Sequence, residues 1–259
     1  SIGETRSLCR KMRELTGGKY ILSPHSGIYC RTGYYEGEML EVYAEAVADG
    51  GELCVHLHEE IKGGGVRYGE PDHMEAVFLD CKKRLEAVGI APVAYRGGHY
   101  AYAPFMNRLL EESGIFIDCS CAPGMEYPDR QAIWTEAEVS GYYLPRNPRG
   151  PGAGQAPSKV FEIPIGSDGE GSAYANILHV EQSDLDNLKR IWGVIRERAR
   201  RSGQPQIVHS LFHTGSMGQP ELVERFLRFL EIVPGNGGTF VTTVEAKAFY
   251  DAAAAEARA

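Results

Sequence analysis

Short apolar runs alternate with longer stretches of helical spacing along almost the whole chain. The short runs, rich in β-branched or aromatic residues, are KYILS (19–23), ELCVHLH (52–58), APVAYR (91–96), GIFIDCS (114–120), KVFEIPI (159–165), QIVHSLFH (206–213) and GTFVTT (238–243). Between them lie GEMLEVYAEAVA (37–48), MEAVFLDCKKRLEAVG (74–89), FMNRLLEESG (105–114), LDNLKRIWGVIRERARRSG (185–203) and ELVERFLRFLEIV (221–233). In the last of these, Leu222, Phe226, Phe229 and Leu230 share one face, and Glu221, Glu224, Arg225 and Arg228 take most of the other. Gly89, Gly114 and Gly203 stand where a left-handed helix cap is expected. Strand–helix alternation over short connections predicts a mostly parallel sheet covered by helices. The seven strand candidates around one core predict an irregular (β/α) barrel of about seven parallel strands, one domain over 1–259. Two Gly- and Pro-rich stretches, 61–72 and 141–159, read as excursions from that frame.

Side chains on a strand alternate faces, so His56, His58 and Glu60 in CVHLHEE point the same way if the strand runs that far. Glu59 then points to the opposite face, towards solvent. In parallel α/β folds chemistry gathers at the C-terminal strand ends. His25, His56 with His58, Arg96, Asp118 and His213 sit at such ends on five different strands. His209 shares parity with His213 and reads as the deeper, packed residue of the two.

Composition narrows the field further. Hydrophobic content of 43% and charged content of 24% over 259 residues are ordinary for a globular enzyme. Lys+Arg 27 against Asp+Glu 35 gives a net charge of −8 with no basic block, which argues against nucleic acid as a partner. No apolar run reaches the length of a membrane span. The 6 cysteines include no C-x-x-C pair and mostly lie in apolar runs; reduced core thiols are the expectation, with a lean towards the cytoplasm.

Several segments resemble the NodB-type polysaccharide deacetylases, carbohydrate esterase family four. YRGGHYAYAPFMNRLLEESGIFIDCSCAPG (95–124) is similar to the third and fourth motifs of that family, and GGELCVHLHEE to its second, metal-binding motif. KVFEIPIGSDG, SLFHTGSM and GTFVTTVEA resemble its later strands, so the likeness spans about 5–250. The resemblance implies a metal-dependent hydrolase, with zinc or a similar divalent ion, that removes an acetyl group or cleaves an amide of a carbohydrate or small molecule. It implies metal contact by His56, with His58 as replacement ligand or neighbour and Glu60 at the place of the usual second histidine. It also implies His213 as general acid, Arg96 as the third-motif arginine and Asp118 as the fourth-motif acid engaged with Arg96.

The family carries paired acids on a strand ahead of its first helix. Here the first helix begins near Glu4-Thr5-Arg6 with no such pair before it. A strand upstream of Ser1 is the expectation, and without its carboxylates weak metal occupancy is expected. That gap also supports the alternative reading of a catalytically inactive barrel that binds a glycan or protein partner.

Other residues carry two readings each. Glu60 also reads as a helix-start or surface acid, and Arg96 with Asp118 as a purely structural ion pair. His99 stands where the family more often has an aromatic residue and marks a different substrate. Tyr100 offers a stacking surface for a sugar or simply packs, and Arg67 in the 61–72 loop is a candidate substrate contact. His25 reads as a turn residue after Pro24, and His73 and His179 have no partner legible in the sequence.

Overall fold

A computed structural model describes residues 2–26, 34–147 and 157–256. Helix α1 (Ile2–Thr16) leads into β1 (Ile21–Leu22), then α2 (Gly37–Ala48), β2 (Glu52–Leu57), α3 (Pro71–Glu86), β3 (Ala94–Gly97), α4 (Met106–Glu112) and β4 (Ile117–Asp118). A small pair, β5 (Glu126–Tyr127) and β6 (Ala132–Ile133), precedes β7 (Tyr142–Pro145) and β8 (Pro157–Glu162). Helices α5 (Leu185–Ser202), α6 (Pro220–Gly235) and α7 (Thr243–Glu256) complete the chain. The main sheet has the order β1-β2-β3-β4-β8-β7. Its neighbours pair in parallel from β1 to β8, and only β7 runs antiparallel, along β8.

The central strands β2, β3 and β4 are buried along nearly their whole length. Leu53, Val55 and Leu57 on β2, Tyr95 on β3 and Val160 on β8 join the main core with Phe78 and Leu85 of α3 and Leu188, Ile191 and Ile195 of α5. Helix α5 starts where the Asp184 carboxylate accepts the Asn187 amide at 2.8 Å and stops at Gly203, whose φ of 67° suits glycine.

Three expectations change here. The GYYLP part of the 141–159 excursion is strand β7, and 148–156 lies outside the described residues, as does Cys30. The run 206–213 forms no ladder but only single bridges, Ile165 with His209 and His179 with Leu211. Its partner changes part-way: His209 donates its N–H to Pro164 O, and Leu211 donates to Leu178 O. Two successive residue pairs with one neighbour never form. The run 238–243 is not a strand among the described residues. Thr242 and Glu245 cap each other reciprocally, with Glu245 N–H donating to Thr242 Oγ1 at 3.1 Å and Thr242 N–H to the Glu245 carboxylate at 2.8 Å. That capping box turns the segment into the start of α7.

Among the described residues the sheet does not close. A cavity of about 950 Å³ runs between β1 and the 206–213 segment, lined by apolar residues such as Leu8, Leu22 and Phe226. Its wall also carries His25, His56, Arg96, His209 and His213.

Candidate functional site

β2 ends at Leu57, yet the chain beyond it keeps its polar residues together. His56 sits in register with Arg96 on β3 and bridges to His25 beyond β1. The His25 and His58 rings stack at 3.9 Å, and His58 meets His56 at 4.8 Å and His99 at 5.1 Å. Glu60 reaches this cluster from an isolated antiparallel bridge to Val66 rather than from a continued strand. Its carboxylate lies 3.1 Å from His58 Nδ1 and 3.0 Å from His99 Nε2, and Tyr68 donates its hydroxyl to it at 2.5 Å. One ligand atom from each of His58, Glu60 and His99 lies within 4.8 Å of the other two. Two ligands about 2.0–2.1 Å from a tetrahedral zinc stand about 3.3 Å apart, so the contacts to Glu60 have metal-compatible spacing.

The second nitrogen donor of this cluster is thus His99, whereas the sequence pattern nominated His56. His56 is buried in β2, and its Nδ1 lies 2.9 Å from the Arg96 carbonyl, which can only accept; that nitrogen therefore carries the proton. His99 reaches Glu60 by an unusual backbone. His99 and Tyr100 have φ of 49° and 63°, a left-handed pair of non-glycine residues costing about 1–3 kcal/mol each. Gly97 and Gly98 make the turn possible. A Cβ on Gly97 would meet the Ala101 carbonyl at 1.8 Å, and one on Gly98 would meet His58 Cγ and the Tyr68 hydroxyl at 2.6 Å.

Burial opposes ionisation of Glu60, but hydrogen bonds from His58, His99 and Tyr68 outweigh it and hold its carboxyl far below the usual range. Burial pushes His56 well down, and pushes His25 down to about 4 with help from His58. Burial also lowers His58, against the pull of Glu60. These rings are neutral at neutral pH, the form in which imidazole offers a lone pair. Two imidazoles and a carboxylate on an open mouth suit zinc or a similar divalent ion.

A second cluster forms around His213, which also lines the cavity. The Glu181 carboxylate accepts the His213 amide at 2.5 Å, lies 3.2 Å from His213 Nδ1, and lies 3.2 Å from His179 Nδ1. Burial raises Glu181, but His179 and His213 outweigh it and hold the carboxyl far below its usual range. The arrangement repeats the first: a His-x-Glu stretch with a distant histidine.

Beneath the mouth, Arg96 donates to the Cys119 carbonyl at 3.0 Å rather than to Asp118. Asp118 and Glu162 are register partners on β4 and β8, both fully buried. Asp118 accepts the Ser120 hydroxyl at 2.6 Å and Glu162 accepts the Cys121 amide at 3.0 Å. Burial, and for Glu162 the charge of Asp118, raises both acids, which favours a proton on the pair.

His56, Arg96 and His213 therefore line one cavity, His58, Glu60 and His99 form one cluster beside His56, and Asp118 lies under the floor. Tyr100 is 4% exposed and packs beside Arg96 and Tyr174. Arg67 pairs with Glu70 at 2.6 Å. Glu59 does not meet solvent: it is 3% exposed and held by Ser26 at 3.1 Å and His73 at 2.5 Å. His73, His179 and Glu181 escaped the sequence reading, although the i, i+2 parity of His179-Val180-Glu181 matches that of His58-Glu59-Glu60.

No family model and no curated protein matches the sequence. Solved structures do match. One described as a "probable Polysaccharide deacetylase" from Pseudomonas aeruginosa PAO1 superposes with a TM-score of 0.55 at 20% identity, over 81% of this chain and 62% of that one. The fold is that of the NodB-type deacetylases. PuuE allantoinase superposes on this NodB-type fold with a TM-score of 0.55 at 20% identity, over 82% and 63% of the two chains. A Mycobacterium smegmatis protein named for polysaccharide deacetylases gives 0.60 at 17%, over 94% and 76%. The chain thus spans about 62–63% of the length of the first two.

Proposed function

We propose that this chain is a metal-assisted hydrolase of a carbon–nitrogen bond, acting on an acetylated carbohydrate or a small amide or ureide. The observation that carries the reading is the Glu60 carboxylate held between His58 and His99 at the C-terminal mouth of a parallel sheet. Structural neighbours named for polysaccharide deacetylation and as an allantoinase support the same class of bond.

His58, Glu60 and His99 would hold the ion, and His56 backs them with its Nδ1 proton fixed on the Arg96 carbonyl. A divalent ion there supplies a polarised carbonyl and a water of lowered pKa. Tyr68 keeps one Glu60 oxygen oriented. His213, which lines the same cavity and is anchored by Glu181, is the residue to which the family resemblance gives the leaving-group proton. No described helix is long and apolar enough to cross a membrane.

The reading is tested by assaying the metal-loaded protein on N-acetylated sugars, small amides and ureides, beside Glu60→Gln and His99→Ala. Turnover with loss of both metal and activity in the variants is the expected result. Ligand binding without turnover on any of these substrates would favour an inert glycan-binding barrel instead.

A further inference from the structure

We propose that His179, Glu181 and His213 form a second divalent-cation site, separate from the His58–Glu60–His99 cluster. One ligand atom from each lies within 4.8 Å of the other two. His179 Nδ1 lies 3.2 Å from Glu181 Oε2 and His213 Nδ1 lies 3.2 Å from Glu181 Oε1, so each imidazole faces its own carboxylate oxygen at about the 3.3 Å expected between neighbouring ligands on a tetrahedral zinc.

A plain hydrogen-bonded cluster does not explain the buried half of this arrangement. The side chains of His179 and Glu181 are 7% and 10% exposed. His179 Nδ1 and Glu181 Oε2 face each other at 3.2 Å, yet neither has an aligned hydrogen-bond partner. Buried polar atoms are seldom left in that state, and an ion between them is a standard resolution. The scaffold is rigid where it needs to be. The Arg225 guanidinium donates to Val180 O at 3.1 Å and Ser183 O at 2.8 Å, fixing the turn that carries Glu181. His179 is tied through a bridge to Leu211, two residues before His213. His213 is 53% exposed, so the site has one buried ligand, one half-buried ligand, one exposed ligand and an open side facing the cavity. The donor set, two imidazoles and one carboxylate, selects zinc, cobalt or a similar borderline ion over calcium or magnesium.

The inference does not depend on the hydrolase reading, and it changes how His213 is tested. With a cation present, His213→Ala removes a ligand, so lost turnover alone would not identify a proton donor.

The test is a cobalt titration of the chelator-stripped full chain, read by ligand-field absorption and by competition with a chromophoric chelator. Thermal unfolding checks that each variant folds. The wild type should take up two equivalents, and Glu181→Gln and His213→Ala one each. His213 is the safer variant because its side chain is half exposed. His99→Ala should also retain one equivalent, and His99→Ala with His213→Ala none. A single wild-type equivalent that survives both Glu181→Gln and His213→Ala would overturn the proposal, as would no uptake at all. A single wild-type equivalent that survives His99→Ala and is lost in His213→Ala would leave this site standing and remove the first.

Discussion

Replacing Gly98 by Ala tests whether the mouth is held by close packing under His58. Gly98 lies at the end of β3, and an added methyl would sit 2.6 Å from His58 Cγ, 2.7 Å from His58 Cδ2 and 2.6 Å from the Tyr68 hydroxyl. Carbon contacts prefer about 3.5–4.0 Å, so His58 or Tyr68 must retreat by about 1 Å. Neither is a free chain end: His58 is stacked on His25, and Tyr68 is 1% exposed. Overpacking of this kind costs about 1–3 kcal/mol, and loss of unfolded-state freedom returns about 0.4–1 kcal/mol. The expected net loss is about 1–2 kcal/mol, a fall in Tm of roughly 2–8 °C for a chain of this size. A retreat of His58 also breaks its 3.1 Å contact with Glu60, and cobalt affinity at that cluster should fall by roughly tenfold or more. Thermal unfolding and cobalt titration read both effects. The control is Gly193→Ala in α5, where nothing lies within 4 Å, and which should gain about 0.5–1 kcal/mol. If Gly98→Ala unfolds at the wild-type temperature and binds cobalt as tightly, the packing argument is wrong.

Tyr68→Phe should lower stability by about 1–3 kcal/mol, measured in urea, because a charged carboxylate loses its 2.5 Å donor. Glu59→Gln should lower it by a similar amount by weakening the His73 contact, without changing cobalt stoichiometry, since Glu59 faces away from the metal-competent cluster. For pH, burial and then Arg96 push His209 down to about 3, so below about pH 6.5 the unfolded chain takes up a proton that the fold refuses. That contribution is fully present above the unfolded value and is lost as pH falls. The shared proton of Asp118 and Glu162 pulls the opposite way in every variant, so the difference between proteins is diagnostic. Between pH 7 and 5, wild type should lose about 1–2 kcal/mol relative to His209→Gln; parallel urea profiles would refute the assignment.

Much of the fold is legible in period alone. The helix at 37–48 and the parallel series β1, β2, β3, β4 and β8 follow from apolar spacing, because long-range packing there agrees with local preference. The segments 206–213 and 238–243 were less legible for different reasons. In the first, apolar alternation is real but the pairing partner changes mid-run. In the second, the Thr242–Glu245 capping signal competes with a β-branched run and wins. Parity pointed to His58 and Glu60 on a strand that in fact ends at Leu57, and their meeting with His99 depends on two left-handed residues that no periodicity announces. Glu181 depends on a tertiary contact with a histidine 32 residues away.

The Asp118–Glu162 pair alters what the net charge of this protein means. The formal −8 counts every carboxylate as ionised, but burial and mutual repulsion favour a proton kept on this pair in the folded chain. Unfolding exposes both acids to water, where neither holds a proton at that pH, and the bound proton escapes to the buffer. The heat of unfolding at pH 7 therefore includes the ionisation heat of whichever buffer receives that proton. Calorimetry in phosphate and in Tris should give different enthalpies for the same transition, and the proton acts as a small ligand that only the native chain can bind.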